Sequence, residues 1–269
     1  MPPSPTADLS LADAIATFAV TFAAGKSVRH PYVATDLGSC RWRLADADRK
    51  RAADYRGEEW VCLADDVVGT VEQAEADARS RDRWAVSVLL PEGNDDGPLR
   101  ATMRARGHRL MRTESMMLRP LTGRGSAVAA AGDNPAAIVR LSTPEQTEEL
   151  RKATRRRLFL PEWTEGDRPF LRQFLAYIGD ALVGWVGSMR LGDIGSVTNL
   201  YVVAAHRRRR VGAALMTHLL ADDKRHGIVA STLLASHSGA MLYPRVGYRR
   251  IATLYLYRGK RDLDTGKRS

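Results

Sequence analysis

The chain has 269 residues, a net charge of +10 from 41 Lys and Arg against 31 Asp and Glu, and a hydrophobic fraction of 44%. This composition excludes a disordered chain and suffices for one large or two small domains. Its 22 Gly and 12 Pro follow no repeat, which excludes a collagen-like sequence. The sequence has no uncharged apolar run of about 18 residues, so it predicts no membrane-spanning segment. The apolar stretch near the start has no preceding basic residues, so we expect no secretory signal and a cytoplasmic protein.

The two cysteines, Cys40 and Cys62, lack metal-ligand spacing and are too few for a disulfide framework. We therefore expect no metal site.

The positive charge suits nucleic acid, anionic lipid or an anionic cofactor, and charge alone does not choose among them. Arginines concentrate at 151–157 and in the unbroken run 207–210.

Small residues at 123–135, reading GRGSAVAAAGDNP, predict a linker. The predicted organisation is an N-terminal domain at 1–122, a linker at 123–134, a C-terminal domain at 135–262 and a tail at 263–269. Both domains have an ordinary size.

The N-terminal part begins with apolar residues at helical spacing, from Leu11 to Phe22, after the cap pattern Ser10-x-x-Asp13 and before Gly25. This pattern predicts an amphipathic helix. The further predicted elements are, in chain order, a helix at 67–79, a strand at 84–90, a helix at 98–106 and a strand at 113–118.

The C-terminal part begins with a predicted strand at 137–141 and a helix opened by Thr143 and Pro144. A helical piece is predicted around Phe170, and Gly179-Asp180 predicts a hairpin turn between antiparallel strands. The further predicted elements are strands at 174–178, 181–189 and 197–203, a helix from Val211 to Gly227, a strand at 228–234, a short helix and a strand at 251–257. The predicted fold class is α+β, with helices around a central, mostly antiparallel sheet.

The most informative junction is the predicted strand at 197–203, followed by four arginines and a long helix that contains Gly212. A helix N-terminus offers unpaired N–H groups and the positive end of the helix dipole, which together bind phosphate. Taken alone, a basic run at a helix start is more often a solvated face.

Downstream lies Ser236-His-Ser-Gly-Ala-Met-Leu-Tyr243-Pro-Arg-Val-Gly247-Tyr248. With the preceding strand, loop and helix, this pattern resembles the GNAT superfamily of acetyl-CoA-dependent N-acetyltransferases, from Ala136 to about Arg258. The resemblance implies transfer of an acetyl group from acetyl-CoA to a primary amine. We expect direct attack in a ternary complex, because the C-terminal part has no cysteine to carry an acyl group.

Two registers of the phosphate loop fit the family pattern. The strand end favours Arg207-x-x-Arg210-x-Gly212, which puts Arg210 in place of the family's first glycine, over Arg209-x-x-Gly212-x-Ala214. By resemblance, the loop backbone would hold the pyrophosphate of CoA, the strand end would pair with its pantetheine arm, and a serine would replace an asparagine contact. The implied cofactor-binding residues are Tyr201, Val202, Val203, Arg207, Arg208, Arg209, Arg210, Val211, Gly212, Ala213 and Ser236.

Tyr243 matches the tyrosine that commonly protonates the leaving thiolate in this family. A phenol with a pKa near 10 is a protonated donor at pH 7. Some members carry a glutamate as general base where this chain has Ser196. The possible substitutes are Asp193, Glu162, Glu165 and His237, or a water chain held by Thr198 and Asn199.

The first half resembles a degenerate second copy of the same domain, because its glycines, helices and strands have a parallel spacing. Asp65 and Asp66 stand where phosphate-binding cations would be needed, and Met103 stands in the tyrosine position. We therefore expect a non-catalytic domain that packs on the second domain and helps wall the acceptor cleft.

Three alternatives remain open from sequence. The chain is an acetyltransferase of unknown acceptor, a nucleic-acid-binding module using its two basic clusters, or a non-catalytic acyl-CoA sensor. The scarcity of aromatic residues among the arginines argues against nucleic acid. The basic cluster at 151–157 fits either an anionic acceptor or a solvated helix end.

Overall fold

A computed structural model of the chain describes residues 9–48, 56–78, 83–123, 134–236, 239 and 241–259. The chain divides into two compact units. The N unit comprises Leu11–Met116, Leu234–Ser236 and Arg250–Ser269, and the C unit comprises Met1–Ser10, Met117–Leu233 and His237–Arg249. Most of the predicted linker at 123–134 and the whole predicted tail at 263–269 lie outside the described residues.

The N unit contains helices on both faces of a mixed sheet. In chain order its elements are α1 (Leu11–Lys26), β1 (Tyr32–Asp36), β2 (Trp42–Asp46), β3 (Glu58–Leu63), α2 (Val67–Asp77), β4 (Trp84–Pro91), α3 (Gly97–Ala105), the first part of β5 (Arg109–Pro120) and β11 (Arg249–Arg258). The strand order begins β1-β2-β3-β4-β11. Strands β3 and β4 are parallel, and β11 pairs antiparallel with β4.

Two apolar clusters hold these layers together. Ile15 and Phe18 of α1 pack with Leu44 and Val61 on one side of the sheet. A second cluster joins α2 and α3 to the other side of the sheet, and Met103 is fully buried in it. The predicted helix at Leu11 is therefore confirmed, whereas β1, β2 and β3 were not predicted.

The C unit contains the last residues of β5, then β6 (Ala137–Arg140), α4 (Pro144–Thr154), β7 (Leu171–Ile178), β8 (Ala181–Leu191), β9 (Ile194–Val202), α5 (Val211–Arg225) and β10 (Ala230–Ala235). The strand order is β10-β9-β8-β7-β6. The pairs are antiparallel, except for the parallel pair of β9 and β10. The mixed α+β fold class with a mostly antiparallel sheet is confirmed.

Two local sequence signals in the C unit are confirmed, one at the start of a helix and one at the turn between two strands. Thr143 and Gln146 form a capping box at the start of α4, and the hairpin turn lies between Ile178 and Ala181. The helix predicted around Phe170 is wrong, because this residue directly precedes β7. Leu171 begins a run of six buried residues, and so short an apolar run does not distinguish a strand from a helix by its period.

A buried ion-pair cluster fixes α5 to the sheet. The Arg172 side chain of β7 is fully buried and pairs with Asp223 and, at 3.0 Å between Nε and Oδ2, with Asp222. The Ser188 hydroxyl donates to Asp223 at 3.0 Å. Burial raises the pKa of Asp223, while Arg172 opposes that rise. Because removing one member leaves a buried charge unpaired, this cluster holds α5 in a fixed position.

The two compact units do not coincide with the predicted domains. The strand predicted at 251–257 was placed in the domain at 135–262, yet it pairs with β4, with Ala252 opposite Pro91 and Arg258 opposite Ala85.

Among the described residues, no helix has the length and apolar character needed to cross a membrane.

Candidate functional site

The central feature of the C unit is a strand edge that opens along β9. The registered parallel pairs run from Ala230 opposite Ile194 to Thr232 opposite Ser196, whereas β9 continues to Val202. Beyond Ser196 this edge of β9 is therefore free of β10. An unpaired strand edge presents backbone donors and acceptors to an extended ligand.

A β-bulge interrupts β9 within this open part. Trp185 of β8 lies opposite Tyr201 and Gly187 opposite Thr198, so β9 holds one residue more than β8 over this interval. Asn199 has φ 54°, a left-handed conformation that Asn tolerates better than most residues. Bulges leave backbone groups unpaired and redirect the strand, frequently beside active sites. The sequence indicated Asn199 only as a holder of water.

The end of β9 presents one backbone N–H to the open edge. The Val203 N–H donates to the Val183 carbonyl at 2.9 Å, so Val203 faces β8. Because neighbouring residues in a strand point to opposite edges, the Val202 N–H points away from β8. The Val202 carbonyl accepts from Nε of Arg207 at 2.9 Å. Of the three predicted residues at this strand end, Val202 is the one that faces the open edge.

Aromatic stacking fixes the side chains at the same strand end. The rings of Trp185 and Tyr201 are stacked, with centroids 4.7 Å apart. The guanidinium of Arg207 lies over the Tyr201 ring, 5.5 Å from its centroid. Arg207 is therefore held by a ring and a carbonyl, and it anchors the start of the loop to β9.

The loop directly before α5, residues 207–210, is called the arginine loop and has an unusual backbone. Arg208 and Arg210 have φ 60° and 62°, in the region that normally favours glycine, whereas Arg207 is extended. Arg210 is the N-cap of α5, and the Ala214 N–H donates to its carbonyl at 3.0 Å. The N–H groups from Val211 to Ala213 come before the first hydrogen bond of the helix, and the Arg210 side chain does not cap them. Such donors form an anion-binding concavity.

Three arginines concentrate positive charge at this helix start. Arg208, Arg209 and Arg210 are exposed, and within the described part of the chain none has an ion-pair partner. A Cβ on Gly212 would lie 3.4 Å from Leu242 Cδ2 and 3.7 Å from Val202 Cγ2, which are ordinary van der Waals contacts. Ser236 follows β10 directly and is exposed.

Tyr243 begins a short 3₁₀ turn that ends at Val246. Its ring meets Tyr248 edge-on, with centroids 5.8 Å apart, and its side chain is buried. The Tyr248 hydroxyl lies 2.6 Å from Oγ of Ser231, whereas the Tyr243 hydroxyl has no partner among the described residues. Burial raises the pKa of Tyr243 above 10. Its phenol is therefore a protonated donor at neutral pH.

The predicted general bases come from separate segments of the chain. Glu162 and Glu165 are exposed. Asp193 lies in the turn before β9, and a nine-residue strand spans roughly 27 Å, so this residue is at the end opposite the arginine loop. His237 lies outside the described residues.

A carboxylate that the sequence did not single out lies on α4. Glu149 accepts a hydrogen bond of 2.6 Å from the Tyr177 hydroxyl. Burial, reinforced by this bond, raises the pKa of Tyr177 to about 12. Tyr177 packs against the apolar cluster that includes Trp185. No motif signalled this pair, because its members come from different elements.

The basic cluster at 151–157 is partly neutralised. Nε of Arg151 lies 2.6 Å from Glu148 at the end of α4. Arg155 is left-handed, with φ 54°, and follows the helix as its C-cap. In the described residues no group of three or more His, Cys, Asp or Glu side chains is arranged to hold a metal ion.

Residues 170–250 match the family model described as "Acetyltransferase (GNAT) domain". This segment contains β7 to β10 with the open edge, the arginine loop and Tyr243. The match and the fold confirm the GNAT-type resemblance of the C-terminal part, and they support an acetyltransferase-type function. No curated protein sequence matches the chain.

Among solved structures, a GCN5-related N-acetyltransferase from Kribbella flavida is similar with a TM-score of 0.59 and 14% identity, over 90% of this chain and 95% of that one. A GCN5-related N-acetyltransferase from Sphaerobacter thermophilus gives 0.54 and 18% identity, over 83% and 81%. A tandem GNAT protein from the clavulanic acid biosynthesis pathway gives 0.50 and 14%, over 91% and 94%. At these identities the likeness concerns the fold.

Proposed function

We propose that the chain is an N-acetyltransferase that transfers the acetyl group of acetyl-CoA to a primary amine by direct attack in a ternary complex. The observation that carries this proposal is the continuous path from the open, bulged edge of β9 to the uncapped start of α5. One end of that path suits an extended amide-containing arm, and the other suits phosphate. Such a reaction draws on the acetyl-CoA of the cytoplasm, which is where we place the protein.

The arginine loop is the proposed phosphate site. The N–H groups from Val211 to Ala213 would donate to the pyrophosphate. The guanidinium groups of Arg208, Arg209 and Arg210, which pair with no described residue, would supply its counter-charge. The pantetheine arm would run along β9 and accept from the Val202 N–H. Ser236 would add a hydrogen bond to the cofactor.

Tyr243 is the proposed general acid. The amine nitrogen attacks the thioester carbonyl carbon, the carbon–sulfur bond breaks, and the leaving thiolate takes the phenolic proton. A thiol has a pKa near 8.5, below that of the phenol, so this proton transfer is uphill taken alone. The proton that the nitrogen loses as the amide forms restores the phenol. The substrate ammonium first loses a proton to solvent through water at the bulge, because only the neutral amine has the lone pair that attacks the carbonyl carbon.

The first experiment measures cofactor binding. Acetyl-CoA at about a hundred times its Kd adds roughly 2.7 kcal/mol to the free energy of unfolding, and the melting temperature should rise by several degrees. Arg210→Glu should abolish the rise. Arg155→Glu is the matched control, because both arginines are exposed, left-handed and without an ion-pair partner among the described residues.

A second experiment measures turnover as release of CoA thiol from acetyl-CoA in the presence of a panel of primary amines. Amine-dependent release supports the transferase. Binding of acetyl-CoA without turnover of any amine would favour the acyl-CoA sensor. Loss of both, with salt-dependent binding of random oligonucleotides, would favour the nucleic-acid alternative.

A further inference from the structure

The side chain of Arg207 lies at the end of the open edge of β9. Its Nε donates to the Val202 carbonyl at 2.9 Å, and its guanidinium lies over the Tyr201 ring, 5.5 Å from the centroid. Among the described residues, the three arginines that follow it in the arginine loop, 208–210, make no hydrogen bond or ion pair through their side chains. Arg207 is therefore directed at the strand, whereas its three neighbours are available to an anion.

The Val202 carbonyl is the acceptor that an extended ligand would use at this edge. The Val203 N–H pairs with Val183 of β8, so the N–H and the carbonyl of Val202 both point away from β8, toward the open side. A ligand that adds to a strand edge binds through such backbone groups. Because the Arg207 Nε reaches the same carbonyl, its guanidinium stands where an amide of the pantetheine arm would pair.

The contacts of Arg207 are of a kind that a ligand can break. Arg207 is exposed, and the Tyr201 side chain under its guanidinium is 42% exposed. Charged contacts at such exposed positions are individually weak. A cofactor phosphate offers the guanidinium two charge-assisted hydrogen bonds in place of the one to a carbonyl. We therefore expect the side chain to move from the carbonyl to the phosphate, which frees the edge for the arm.

We propose that Arg207 makes binding of the pantetheine arm conditional on the phosphates of the cofactor, and so selects phosphate-bearing acyl thioesters over phosphate-free ones. This inference rests on the proposed function, because it takes the arm to run along β9. Without phosphate, Arg207 occupies the open edge, and the apparent affinity for the arm falls in proportion to the fraction of molecules in which the edge is free. With phosphate, the same arginine binds the anion and the edge is free.

Calorimetric titration of the full chain with acetyl-CoA and with S-acetylpantetheine, which has the arm but no phosphate, tests this selection. Arg207→Ala should bind S-acetylpantetheine about threefold to tenfold more tightly than the native chain does, and it should bind acetyl-CoA no more tightly. Inorganic pyrophosphate should raise the affinity of the native chain for S-acetylpantetheine by a similar factor, because both ligands favour the displaced arginine. It should not raise the affinity of Arg207→Ala.

Arg209→Ala is the matched control, because Arg209 is exposed, lies in the same loop and has no left-handed backbone. It should weaken binding of acetyl-CoA and give S-acetylpantetheine no gain. Since Arg207 is exposed, Arg207→Ala should keep a melting temperature close to that of the native chain.

Three results would overturn the selection and leave the proposed function standing, provided that the native chain binds acetyl-CoA. They are no gain for S-acetylpantetheine in Arg207→Ala, an equal gain in Arg209→Ala, and an equal effect of pyrophosphate on the native chain and on Arg207→Ala. Failure of the native chain to bind acetyl-CoA would overturn the selection together with the proposed function.

Discussion

Replacing Arg210 with glycine should raise the stability of the protein and lower its affinity for acetyl-CoA. Arg210 has φ 62°, and an L-residue in this region costs about 1–2 kcal/mol that glycine avoids. Glycine loses about 0.5–1 kcal/mol more backbone entropy on folding, so the net gain is about 0.5–1 kcal/mol. For a chain of this size that gain corresponds to a rise in melting temperature of about 1–4 °C.

The same substitution removes one guanidinium from the proposed phosphate site. An exposed charge contact contributes on the order of 1 kcal/mol, which corresponds to about fivefold weaker binding of acetyl-CoA. Thermal unfolding without ligand measures the first effect, and calorimetric titration with acetyl-CoA measures the second. The two effects have opposite signs, which ordinary destabilisation cannot produce.

Arg155→Gly provides the matched control for this experiment. Arg155 has φ 54° and is exposed, but it follows α4 rather than preceding α5. Its replacement should raise stability to a similar extent and leave acetyl-CoA affinity unchanged. An equal loss of affinity in Arg155→Gly would mean that net charge alone attracts the cofactor. Unchanged affinity in Arg210→Gly would refute the assignment of this arginine to the phosphate site.

Three further substitutions test the open edge, the proposed acid and one buried histidine. Tyr243→Phe should lower kcat about tenfold or more with little change in KM for acetyl-CoA. Burial raises the pKa of Tyr243, so the kcat of the native enzyme should begin to fall above pH 10. This fall should be absent from the pH profile of the variant. Gly184→Ala puts a Cβ 2.8 Å from the Tyr201 carbonyl, so urea unfolding should show a loss of about 1–3 kcal/mol and acetyl-CoA should bind more weakly. Burial lowers the pKa of His218, so the unfolded chain takes up this proton first as the pH falls below about 6.5 and stability declines. His218→Phe should lessen the difference between urea midpoints at pH 7.5 and 5.5, and an unchanged difference would contradict this linkage.

Local sequence signals predicted much of the C unit. Thr143 and Gln146 form a cap within four residues of chain, and Gly179 closes a hairpin at φ 57°. Such features depend on neighbours in sequence and are therefore readable from it. The arginine run before α5 was readable for the same reason, since a basic stretch directly preceding a helix is a local pattern.

Strands β1, β2 and β3 of the N unit were missed because their signals are not local. Strands β1 and β2 have five residues each, and their burial does not alternate cleanly between faces. Strand β3 is almost wholly buried, so it lacks the polar alternation that identifies a half-exposed strand. The helix expected at Phe170 failed for the same physical reason, since β7 is buried on both faces.

The geometry of the candidate site depends mainly on tertiary structure. No residue pattern states that β10 leaves β9 after Ser196, or that Asn199 forms a bulge opposite β8. Both depend on which strand lies alongside, as does the pairing of β11 with β4.

The left-handed backbone at Arg210 shows the limit of motif matching most clearly. A pattern built on glycine treats an arginine there as a departure, yet the backbone keeps the glycine-like conformation. The surrounding structure must therefore stabilise that conformation, and residues held in unfavourable backbone regions concentrate at binding sites. The conformation, rather than the residue type, is the feature on which phosphate binding at this loop would depend.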